Sequence, residues 1–108
     1  MTRNEAIAEK MGYRLVIDDD IYPTEWWEDN KGEIVSTDAE IDFNDIFMAK
    51  LLQARMVENG WVIEISVFPG RFFATAKSLY GEFDSEAETE QSALVELFCK
   101  VYGIKEEA

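Results

Sequence analysis

Apolar and polar positions alternate with two different periods along this chain, and the switches between them mark the elements. Thr2-Arg3-Asn4-Glu5 has the form of a capping box, with the Thr2 hydroxyl and the Glu5 carboxylate each able to take an orphan amide. It predicts a short helix over residues 3–11, with Ala6, Ile7 and Met11 on one side and Gly12 at its end. Residues 13–17, Tyr-Arg-Leu-Val-Ile, are β-rich and predict a strand that Asp18-Asp19-Asp20 and Pro23 break. Glu25-Trp26-Trp27-Glu28 and Glu33-Ile34-Val35-Ser36 predict two more strands, joined by the turn residues Asp29-Asn30-Lys31-Gly32. Ile41 and Phe43 are the apolar members of a polar loop and are expected to tuck inward.

A second helix is predicted over residues 45–58, capped by Asp42 or Asn44. Phe47, Leu51 and Ala54 recur there at helical spacing, flanked by Met48 and Leu52, and Asn59-Gly60 closes it. The period then drops to two. Over residues 61–68 Trp61, Ile63, Ile65 and Val67 fall on one face, and Val62, Glu64, Ser66 and Phe68 on the other. Pro69-Gly70 turns the chain into a paired strand over residues 71–77, and Tyr80-Gly81 into an acidic edge strand over residues 82–87. Thr89 is the expected cap of a closing helix, residues 90–102, whose Leu94, Leu97, Phe98 and Val101 keep the i, i+3, i+4, i+7 rule before Gly103 ends it.

Tight turns between successive strands imply a mainly antiparallel sheet. Apolar residues on both faces of those strands imply helices on both sides. The expected fold class is therefore α+β: a three-layer α/β/α sandwich around one sheet, with three helices. The 108 residues fit a single domain with frayed ends at 1–2 and 104–108. At 47% hydrophobic the chain can form a packed core, yet its apolar runs are far too short to span a membrane. With no secretory leader and Cys99 as its one cysteine, it suits a reducing cytoplasm.

Charge changes the picture more than composition does. Against 10 bases stand 23 acids, a net of −13. Residues 1–45 hold 13 acids and 4 bases, whereas residues 46–108 hold 10 and 6. Within residues 15–49, 11 acids face Lys31 alone. Such a surface repels phosphate backbones, so direct nucleic-acid binding is not expected; plain solubility is the commoner meaning of such charge, and a basic protein partner stays open beside it.

Bond-making chemistry has little to work with. Without histidine there is no Ser-His or Cys-His pair and no usual zinc set. Cys99, beside Phe98 and Val101, reads as a buried structural thiol. Placing Asp18 first in a calcium loop puts Pro23 where the sharp turn needs glycine, so this is no EF-hand. Glu64 is mid-strand among apolar neighbours; buried, it could act as an acid or base, but the preferred reading is a wet margin or a pair with Arg71 or Lys77. Trp26 and Trp27, adjacent on a strand, point to opposite faces. Each can enter a core layer; alternatively one is an exposed aromatic anchor ringed by Glu25, Glu28 and Asp29.

Several stretches resemble the phage ABA-sandwich domain family: Glu9-Lys10-Met11-Gly12, the Trp26-Trp27 strand, Ile41-Asp42-Phe43-Asn44-Asp45, Glu58-Asn59-Gly60-Trp61, and Ala87-Glu88-Thr89-Glu90 with Ala93-Leu94. The resemblance implies a phage or prophage protein with helices on both sides of a sheet and no catalytic residues to carry over. The reading is a non-enzymatic, cofactor-free and metal-free module that binds or inhibits a host protein, with imitation of nucleic acid as one mode. Its contact residues would be Asp18, Asp19 and Asp20, then Trp27, Glu28 and Asp29, then Asp38, Glu40 and Asp42. The alternatives are a structural homodimer formed through Trp26 or Trp27, and a metal-assisted carboxylate enzyme.

Overall fold

The order of elements is α1 (Arg3–Lys10), β1 (Arg14–Asp18), β2 (Thr24–Glu28), β3 (Ile34–Ser36), α2 (Ile46–Glu58), β4 (Val62–Phe68), β5 (Arg71–Ser78), β6 (Gly81–Ala87) and α3 (Glu90–Tyr102). The computed structural model describes residues 2–18, 20, 24–37 and 40–105. Three helices and antiparallel strands make it an α+β protein, as expected. The strands form two three-stranded sheets rather than one, ordered β1-β2-β3 and β4-β5-β6. The chain groups into two compact units, Met1–Asp42 and Phe43–Lys105, each holding one sheet. No helix among the described residues is long and apolar enough to cross a membrane.

In the first unit the capping box forms as predicted: the Glu5 amide donates to Thr2 Oγ1 at 3.1 Å and the Thr2 amide to Glu5 Oε1 at 3.2 Å. Helix α1 buries Ile7 and Ala8. Gly12 follows with φ 79°, a left-handed conformation that a side chain would strain, and leads the chain into β1. Strand β2 pairs with β1 in register, Arg14 opposite Glu28 and Asp18 opposite Thr24. Its pairing with β3 slips between Trp27 and Glu28, a bulge that leaves Val35 unmatched. Among the described residues of this unit, Met11, Tyr13, Trp27 and Ile41 are the other buried side chains.

In the second unit β4, β5 and β6 form a meander. Ala74 and Ala76, fully buried in the central strand, leave room for a helix to pack closely on that face, and α3 lies on β5 and β6. It buries Ala93, Leu94, Val95, Leu97, Phe98 and Cys99, so the thiol is buried as expected. Its Thr89 cap accepts from the Ser92 amide at 3.2 Å, and Gly103 ends it in the left-handed conformation. Helix α2 packs on α3 and β4. Its cap is Asp45 rather than Asp42 or Asn44; the carboxylate accepts from the Phe47 amide at 2.9 Å. Its core face is Ala49, Leu52 and Met56, while Phe47 and Leu51 are exposed. This reverses the expected face. Apolar residues surround this helix, so periodicity alone does not choose a side. Ile41 and Phe43 are buried, as predicted.

Candidate functional site

Every predicted contact residue falls within Met1–Asp42, the unit with the larger charge excess: 12 acids against 4 bases. Asp19 and Asp38 lie outside the described residues. The rest divide into groups. Asp18 ends β1 and Asp20 follows; the Asp20 amide donates to Asp18 Oδ1 at 3.1 Å, and both residues are exposed. Glu28 and Asp29 stand at the opposite end of the β1–β2 ladder, four residue steps away, or about 14 Å. The predicted carboxylates of this ladder are therefore split between its two ends.

The two groups also do different work. Trp26 and Glu28 share a face of β2, being two residues apart, and Trp26 Nε1 donates to Glu28 Oε1 at 3.0 Å. From β1, Arg14 Nη2 donates to Glu28 Oε2 at 2.9 Å. The indole hydrogen bond first, and the guanidinium second, hold the Glu28 carboxyl below its usual value of 4.5. Asp29 Oδ1 accepts from the amides of Lys31 at 2.8 Å and Glu33 at 2.9 Å, which fixes the β2–β3 turn. Glu28 and Asp29 thus act within the fold.

Trp27 is only 5% exposed. It belongs to the core and is not the exposed anchor that the sequence left open. Trp26 is half-buried, and its indole donor is taken by Glu28. Trp27 and Glu40 do come together, along with Thr2, Asn4, Glu5, Leu15 and Ile41, around an open cavity of about 380 Å³ at the start of α1. Asp42 is exposed.

The second unit has its own use for charge. Lys50 pairs with Glu90 at 2.6 Å, Arg55 with Glu58 at 3.7 Å, Lys77 with Glu82 at 3.9 Å, and Arg71 with Glu86. Arg71 and Lys77 are therefore engaged on β6, and Glu64 is exposed, in line with the wet margin rather than the ion pair. Among the described residues no group of three or more His, Cys, Asp or Glu side chains converges on a point where a metal ion would sit. Comparison with protein families, with curated proteins and with solved structures gave no match.

Proposed function

We propose that this chain is a non-enzymatic binding module of phage or prophage type, which docks on a basic surface of a host protein in the bacterial cytoplasm. One observation carries the reading: Asp18, Asp20, Glu33, Glu40 and Asp42 are all exposed in a unit where acids outnumber bases 12 to 4. The phage attribution rests on the resemblance of caps, turns and core aromatics. Trp27 is in the core and Glu28 is tied to Trp26 and Arg14, so the proposed contact set is the remaining carboxylates Asp18, Asp19, Asp20, Asp29, Asp38, Glu40 and Asp42.

Electrostatic contacts of exposed groups weaken as salt shortens the screening length. The tagged protein, incubated with bacterial lysate at low and moderate salt, should retain a basic protein at low salt and release it at moderate salt. The double substitution Asp18→Lys with Asp20→Lys should abolish retention. A partner held equally at both salt concentrations, and by the charge-reversed protein, would overturn the proposal.

A further inference from the structure

The β4-β5-β6 sheet has two edges, and they are treated differently. Strand β6 carries Glu82, Asp84 and Glu86, and Lys100 of α3 reaches over it to donate to the Asp84 carbonyl at 2.7 Å. Charge and a covering side chain are the usual protections of an edge. Strand β4 has neither. Glu64 is its one charged residue, while Val62, Val67 and Phe68 are more than half exposed.

The turn fixes which backbone groups of β4 are open. Phe68 and Arg71 flank the two-residue turn Pro69-Gly70, so they exchange ladder hydrogen bonds. Alternation then turns the N–H and C=O groups of Ile63, Ile65 and Val67 away from β5. Among the described residues no strand pairs with them. The same counting from the Ser78–Gly81 turn sends the Asp84 carbonyl outward on β6, where Lys100 meets it.

We propose that β4 pairs antiparallel with β4 of a second copy of this chain, about a two-fold axis at Ile65, making one six-stranded sheet. The open groups match in that register. Ile65 faces its own counterpart, and Ile63 faces Val67, so all the outward donors and acceptors of the three residues are used. The side chains match as well: Val62 meets Phe68, and Glu64 meets Ser66. Moving the axis to Glu64 would set two carboxylates directly opposite, which is unfavourable. Moving it to Ser66 would carry Val62 and Ile63 past the end of the partner strand. A closed two-fold pairing also leaves no open β4 edge to propagate. The proposal stands on the second unit alone and is independent of the acidic contact surface. The two also respond oppositely to salt: screening weakens binding to a basic partner but relieves repulsion between copies that each carry −13.

Sedimentation velocity of the full chain, from micromolar to hundreds of micromolar concentration, should show a monomer–dimer equilibrium that shifts toward dimer as salt rises. Ser66→Lys, facing Glu64 of the other copy, should tighten the dimer, and Ser66→Glu should loosen it, each by about tenfold. Leu79→Lys and Leu79→Glu, at the fully exposed β5–β6 turn, make the same changes in net charge and should differ far less. Val67→Pro removes an outward N–H without breaking the ladder to β5 and should give a monomer. In the wild-type protein the amides of Ile63, Ile65 and Val67 should gain protection from hydrogen exchange as concentration rises, a readout that survives if a variant misfolds. A chain that stays monomeric throughout at high salt overturns the proposal. So does a dimer indifferent to the sign of charge at position 66, or one that leaves those three amides unprotected.

Discussion

Thr75 sits mid-strand in the central strand β5, between Glu64 on β4 and Asp84 on β6. Its Oγ1 is shut off from solvent and has no hydrogen-bond partner among the described residues. A buried hydroxyl left unpaired costs about 1–3 kcal/mol. Thr75→Val exchanges it for a methyl of nearly the same shape and keeps the β-branch that suits a strand. Because the residue as a whole is only half-buried, the low end applies, and the variant should gain about 1 kcal/mol. That is about 4 °C in Tm for a domain of this size. Ser85, one strand away, gives the opposite case. It is 3% exposed, and its Oγ donates to the Ala93 carbonyl at 2.6 Å, tying β6 to the first turn of α3. Ser85→Ala loses a made bond and should cost about 1 kcal/mol. Urea unfolding of the three proteins, compared at equal m-value, measures both changes. If Thr75→Val is destabilised like Ser85→Ala, the Thr75 hydroxyl has a partner in solution and the reasoning fails.

Two further outcomes follow from the first unit. Trp27→Ala should cost about 3–5 kcal/mol in urea unfolding, as expected for an aromatic side chain removed from a core; a loss under about 1 kcal/mol would return Trp27 to the surface. Glu28 should make stability depend on acid pH. Its folded pKa lies below its ordinary 4.5, so its contribution is present above that value and is lost as pH falls through the lowered one. Glu28→Gln should flatten that part of the urea midpoint against pH, and an unchanged acid slope would show that the Trp26 and Arg14 contacts do not persist in solution.

Local signals were legible and partner choice was not. Helix α3 was readable end to end, because its Thr89 cap, its apolar stripe and Gly103 all act within a few residues of each other. The Thr2–Glu5 box and the three hairpin turns were readable for the same reason. Helix α2 shows the limit. Its span was clear, but with Ile46, Phe47, Met48, Leu51, Leu52, Met56 and Val57 spread around it, only packing against α3 and β4 selects Ala49, Leu52 and Met56 as the buried side. The number of sheets was hidden too. Nothing in residues 33–36 or 62–68 states whether those strands share a ladder, since residues 37–61 separate them and pairing is non-local. At the candidate site, counting acids singled out the segment with the larger charge excess. It could not show that the Glu28 carboxylate is spent on an indole and a guanidinium, or that Asp29 accepts from two turn amides.

The placement of charge bears on why the chain is so acidic. If the acids served only to keep copies apart, the strand edge most open to pairing should carry them. Strand β6 does carry three, and is covered besides. Strand β4 carries one, and the excess lies instead in Met1–Asp42, while the bases of the second unit pair largely with its own acids. An undefended apolar edge and a separately placed block of carboxylates are better explained as two contacts than as one solubility device. Salt would separate the two proposed contacts, because screening should strengthen the strand pairing between copies and weaken docking on a basic surface. Following self-association and partner retention through the same salt titration would therefore test the division itself: if both rise or both fall together, a single surface serves both and the separation drawn here is wrong.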